Sequence, residues 1–187
     1  MVRRTSSTNV RVALLRGINV GGKNKLPMSD LAAMFTDVGC EDVRTYIQSG
    51  NVVFKASASV ARSAGDLVST AILEQFGHRV PVVLRTAREL NLAAGGNPYL
   101  TGDVDPAALH VAFLATRPTP AKVADLDPDR SPPDEFTVQG SHIYFFCPNG
   151  VARSKLTNKY FDSKLGTTST VRNWRTVLKL VELCATY

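Results

Sequence analysis

VALLRGINVGGKNKLPMSDLAAMFTDVGCEDVRTYIQSGNVVF, residues 12–54, decides the fold. The apolar run at residues 10–16, VRVALLR, reads as a central strand. Residues 17–25 form a glycine-rich loop. Pro27 stands where a fixed φ suits the start of a helix. Leu31, Met34, Phe35 and Val38 then recur at helical spacing, and Gly39 suits the helix end. Two β-rich runs, residues 43–48 and 52–55, flank Ser49-Gly50-Asn51 as a hairpin.

Outward from this stretch, residues 60–76 carry Ala64, Leu67, Val68, Ala71, Ile72 and Phe76 on a helical period, with Gly77 as the stop. Residues 80–84 are a strand. The order β-α-β-β-α-β is that of a ferredoxin-like, α-β plait domain. A short helix at residues 87–94 leads to Gly95-Gly96-Asn97-Pro98, where a boundary is expected. The order then restarts. Residues 109–115 are a strand, 121–126 a short helix, 135–139 and 142–147 two strands, and 155–165 and 171–185 two helices. The expected fold class is therefore α+β with two plait subdomains, βαββαβ followed by βαββαα. A disordered basic arm is expected at residues 1–9, the first subdomain at 10–94 and the second at 95–187. TYIQSGNVVF (45–54) lies over FTVQGSHIYF (136–145), which suggests a degenerate repeat with Ile47 over Val138, Gln48 over Gln139 and Phe54 over Phe145.

Composition narrows the function classes. At 187 residues, with 44% hydrophobic and 20% charged residues, the chain can bury a real core. No apolar run approaches the roughly 18 residues a membrane span needs. Cys40, Cys147 and Cys184 are odd in number and show no CxxC spacing, which fits reduced cytosolic thiols. His78, His110 and His142 are scattered singly and make no metal motif. His110 sits in an apolar strand and reads as a buried, satisfied histidine. Asp125, Asp127 and Asp129 mimic a calcium loop, but Arg130 stands where that loop needs glycine and Phe136 where it needs glutamate. No GxSxG elbow surrounds a serine, and no general base is marked out. Neither metal nor cofactor is implied.

The net charge of +6 is uneven: residues 1–55 carry +4, 56–94 +1, 95–150 −4 and 151–187 +5. Basic ends favour polyanionic partners. Gly17-Ile-Asn-Val-Gly21-Gly22-Lys23-Asn24 comes within one residue of the phosphate-loop pattern. Asn24 lacks the hydroxyl that would bind magnesium, and Pro27 delays the helix, so a triphosphatase is not expected. A simpler anion loop is, with Arg16, Lys23 and Lys25 around backbone amides. The second basic element is Arg153-Ser154-Lys155, followed by a helix from residue 171 capped by Thr170. That helix places Val171, Trp174, Val177, Leu178, Val181 and Cys184 on one face and Arg172, Arg175 and Lys179 on the other. If the halves pack together, loop and segment share one cleft, a hypothesis the sequence leaves open.

LLRGINVGGKNKLPM (14–28), YIQSGNVVF (46–54), NGVARSKLTN (149–158) and TSTVRNWRTVLKL (168–180) resemble the blocks of domain-of-unknown-function family 1697. The resemblance implies a bacterial cytoplasmic protein of two plait subdomains, and it brings no settled activity. It implies polar signature positions at Arg16, Gly17, Asn19, Gly22, Lys23, Gln48, Ser49, Asn51, Arg153, Ser154, Lys155, Arg172 and Asn173; Gly21 and Lys25 complete the anion loop. Phe146 and Cys147 replace the tyrosine and leucine frequent in the family, and Arg175 replaces an asparagine. The expectation is a phosphate-binding module, nucleic acid being the first partner. The alternatives are an enzyme on a small phosphorylated or nucleotide-like substrate, and a homodimerising interaction domain with no ligand. No membrane partner is expected.

Overall fold

The computed structural model describes residues 9–187. The expected arm at residues 1–9 lies, but for Asn9, outside them. The chain divides into two units: residues up to Asn91 together with Leu180–Tyr187, and Leu92–Lys179. The division falls inside a helix, ahead of the Gly-Gly-Asn-Pro stop, and the last eight residues belong with the first unit.

In the first unit the elements are β1 (Val10–Leu15), α1 (Met28–Asp37), β2 (Glu41–Tyr46), β3 (Asn51–Lys55), α2 (Ala58–Phe76), β4 (Val82–Thr86) and α3 (Ala87–Gly95), the last running past the division. The sheet order is β2-β3-β1-β4 with every pair antiparallel. This is the plait expected from element order. One sheet face, with Ala13, Leu15, Val52 and Phe54, packs on Leu31, Met34 and Phe35 of α1 and Ala64, Val68 and Ile72 of α2. Strand alternation sends Val12, Leu14 and Val53 to the other face, and they too are fully buried. Ser57 accepts from Val60 N at the start of α2, and Gly77, in the left-handed region, ends it.

The second unit holds β5 (Leu109–Leu114), α4 (Pro120–Ala124), β6 (Glu135–Gln139), β7 (His142–Phe146), α5 (Asn158–Leu165), β8 (Ser169–Asn173) and the start of α6 (Trp174–Ala185). Its sheet order, β6-β7-β5-β8, repeats the first. This corrects the expected βαββαα to βαββαβα. The helix expected from residue 171 begins at Trp174, and residues 169–173 are a strand. Without it β5, buried throughout, would leave one edge unpaired. Thr170 and Val171 also suit a strand better than a helix. The shorter helix turns its buried side: Trp174, Val177, Leu180 and Cys184 face inward, and Leu178 is exposed.

Register makes the repeat explicit. Val12 opposes Val53 and Arg85, and Val111 opposes Tyr144 and Arg172. Thr86 and Glu89 form a reciprocal capping box at α3, and at the equivalent corner Asn173 Oδ1 accepts from Thr176 N at 2.8 Å. Phe54 and Phe145 are equivalent, opposing Arg11 and His110. Ile47 and Gln48 do not match Val138 and Gln139. Four residues separate the paired Tyr46 and Asn51, whereas two separate Gln139 and His142. The first unit therefore has the longer turn. It also has the longer β-to-α connection: residues 16–27, against 115–119 in the second unit. Both additions lie at the same end of the first sheet.

Candidate functional site

The glycine-rich stretch leaves β1 beside Gly50 and Pro81, with Leu15 N donating to Gly50 O (2.8 Å) and Arg16 N to Pro81 O (3.0 Å). It then folds into a small hairpin. Asn19 N donates to Asn24 O (3.2 Å), Lys23 N donates to Val20 O (3.1 Å), and Val20 and Lys23 pair as a bridge. Gly21 (φ 57°) and Gly22 (φ 76°) are both left-handed, the mark of a type I′ turn. So the glycines serve a reversal of the chain rather than a cradle opening onto a helix. α1 begins only at Met28, behind Pro27. At the tip Val20, Gly21, Gly22 and Lys23 are exposed, and Lys25 is exposed farther on. Among the described residues, the N–H groups of Gly21 and Gly22 meet no protein acceptor.

Asn19 fastens this finger. Its Nδ2 donates to Leu26 O and to Gln48 O, both at 2.9 Å, and its Oδ1 accepts from Leu26 N at 2.8 Å. Asn24 Nδ2 donates to Gly17 O at 2.8 Å. Asn51, fully buried, closes the neighbouring turn by donating to Tyr46 O (3.1 Å) and Ser49 Oγ (3.0 Å). The structure thus brings together Arg16, Gly17, Asn19, Gly21, Gly22, Lys23 and Lys25 with Gln48, Ser49 and Asn51. Within the group the asparagines hold the backbone, while Lys23, Lys25 and the Gln48 side chain face solvent. Between Asn9 and Asp30 the chain has no acidic residue.

The second basic segment occupies the connection from β7 to α5, including a 3₁₀ turn at Val151–Arg153. By topology this connection lies at the sheet end where β5 starts, whereas the finger of the first unit lies where β1 ends. Ser131 anchors it: its Oγ accepts from Lys155 N (2.9 Å) and donates to Asp134 Oδ2 (2.7 Å). Ser154 Oγ accepts from Leu156 N at 3.1 Å. Arg153, Lys155 and Lys159 are exposed and make no ion pair among the described residues. Arg172 departs from its expected exposed helical face. It is a buried strand residue, donating to Thr170 Oγ1 and Val171 O at 2.8 Å, and burial pulls its pKa down to about 10. Asn173 spends its side-chain oxygen as the cap of α6.

The family model described as "Protein of unknown function (DUF1697)" matches residues 9–144, most of the chain, finger and turn included. The chain belongs to DUF1697. No curated protein matches it. Among solved structures it is similar to a conserved bacterial protein, SP0830, from Streptococcus pneumoniae, at 24% identity, covering 94% of this chain and 98% of that one with a TM-score of 0.68. At that identity the likeness concerns the fold. Two of the sequence blocks quoted above, at 149–158 and 168–180, lie beyond the residues the DUF1697 model matches.

Ser131 and Asp134 carried no sequence signal, because the segment they anchor lies over twenty residues away. His110 is buried as expected, and its Nδ1 finds no well-formed hydrogen-bond partner among the described residues. Burial, opposed by the backbone at Ala108, lowers its pKa. A cavity of about 410 Å³ in the second unit is lined by Asp103, Asp105, Ala108, Phe146 and Cys147. Its two carboxylates give it the wrong sign for a phosphate. All three thiols of this DUF1697 protein are buried and pushed up to about 11, chiefly by burial; the Asp134 carboxylate adds to the effect at Cys147. At pH 8 iodoacetamide should therefore label the folded protein at least about 100-fold more slowly than the unfolded chain. Fast labelling at any one cysteine would contradict this. The folded state holds these protons more tightly. Their contribution to stability is thus full below about pH 8.5 and is lost as the pH rises through about 11.

Proposed function

We propose that the protein is a cytoplasmic binding module for polyanions, nucleic acid above all, acting through exposed cations on open surface. The observation that carries this reading is the finger: Lys23 and Lys25 are exposed and without ion pairs among the described residues, on a stretch lacking acidic residues. Two free N–H groups at the tip add to it. Arg153, Lys155 and Lys159 make a second cationic surface, since residues 148–161 also lack acids. Two observations weigh against the alternatives. An enzyme on a small phosphorylated substrate needs several cations converging in one pocket; the cavity beside Cys147 is acidic, and the clefts at Arg117 and at Arg79 are each lined by a single cation. A dimer built on an exposed plait face needs apolar surface on the central strands, and Val12, Leu14, Val111 and Phe113 are all fully buried. No helix among the described residues is long and apolar enough to cross a membrane.

The test is fluorescence anisotropy with single-stranded RNA, single-stranded DNA and duplex DNA across salt. Lys23→Ala/Lys25→Ala should weaken binding about ten-fold and flatten the salt slope by about 1.4, two single-strand phosphate contacts. Arg153→Ala/Lys155→Ala, measured separately, reports the second surface. Wild-type protein that binds none of the three at low salt would sink the proposal.

A further inference from the structure

Among the described residues of the first unit, three large hydrophobic ones are exposed: Val20 (63%), Ile47 (48%) and Leu67 (48%). Two of them flank one hydrogen bond. Val20 follows Asn19 and Ile47 precedes Gln48, the pair joined by Asn19 Nδ2 and Gln48 O at 2.9 Å. Ile47 is also held at φ 50°, a conformation rare for a β-branched side chain. A residue that is both strained and half in water gains nothing for the fold, and such strain gathers at ligand contacts. Both residues sit on additions to the plait that the second unit lacks: the finger and the two extra residues of the turn. The surrounding charges are Lys23 and Lys25, with no carboxylate between Asn9 and Asp30.

We propose that Val20 and Ile47 form an apolar platform for the bases of single-stranded nucleic acid whose phosphates are held by Lys23 and Lys25. This rests on the polyanion reading above and adds what the bases touch. Charge selects an anion, and aliphatic surface beside that charge selects one with an apolar face on the same chain. In a duplex those faces are stacked inward; in a single strand they are open.

The experiment compares three proteins: wild type, Val20→Thr/Ile47→Asn and Lys23→Ala/Lys25→Ala. The ligands are a single-stranded RNA of about 12 nucleotides and a duplex of equal length. Thr keeps the β-branched shape at position 20. Asn tolerates the left-handed region at 47, so the thermal midpoint should hold or rise, which separates loss of contact from loss of fold. Val20→Thr/Ile47→Asn is expected to bind the single strand about ten-fold more weakly, with an unchanged salt slope and little change on the duplex. Lys23→Ala/Lys25→Ala should flatten the slope on both. If only the lysine variant weakens binding, the platform is wrong and the polyanion reading stands. Equal weakening on single strand and duplex also overturns the platform. If wild type binds neither ligand, both readings fall.

Discussion

Gly50→Ala is expected to destabilise the protein by about 2–5 kcal/mol, combining a left-handed residue with an overpacked core. Gly50 has φ 75°, a region an alanine enters at a cost of about 1–2 kcal/mol. Space matters more. A Cβ there would stand 2.6 Å from Leu15 Cβ and 2.9 Å from Ile18 Cδ1. Leu15 Cβ cannot swing away, because it belongs to a central strand whose own N–H donates to Gly50 O. Such overpacking adds about 1–3 kcal/mol. Gly17→Ala is the control: φ is 74°, but nothing lies within 4 Å of its added Cβ, so only the backbone cost of about 1–2 kcal/mol remains. Urea denaturation of both variants reads the difference. Equal losses would mean that the close approach to Leu15 does not matter.

Asn19→Ala should cost about 2–4 kcal/mol, from the three hydrogen bonds it removes, two part-buried at Leu26 and one exposed at Gln48. Three hydrogen bonds vanish together, two of them at Leu26, whose side chain is buried. An alanine also fits φ 54° less well than an asparagine does. Asn19→Asp is the sharper probe. It keeps an acceptor for Leu26 N but sets a carboxylate against the carbonyls of Leu26 and Gln48, so it should be no better than alanine. An Asp variant near wild-type stability in urea denaturation would show that the two donated bonds contribute little. Loss of the finger in either variant should also remove the polyanion binding attributed to Lys23 and Lys25, read in the same anisotropy assay.

Much of the fold was legible because its signals are local. The spacing of Leu31, Met34 and Phe35 and the stop at Gly77 each act within a few residues. The elements they delimit admit few topologies once a plait order is recognised. The candidate site was legible in outline. Lys23 and Lys25 stand exposed where the glycine-rich loop suggested, but the loop is a type I′ finger and its asparagines are fasteners. A glycine pair permits positive φ in a phosphate cradle and in a hairpin turn alike, so the motif could not choose between them.

By itself the sequence determined two α+β halves that share the order βαββα, the basic ends and the positions of most helices, because periodicity and turn chemistry are properties of neighbouring residues. Only the tertiary structure decided the rest. β5 offered a free edge, and Ser169–Asn173 became a strand that buries Arg172 rather than a helix that exposes it. Asn19 met Gln48 across 29 residues, and so Val20 and Ile47 came to flank one bond at one end of one sheet. Both outcomes depend on partners distant in the chain, and no local pattern encodes who those partners are.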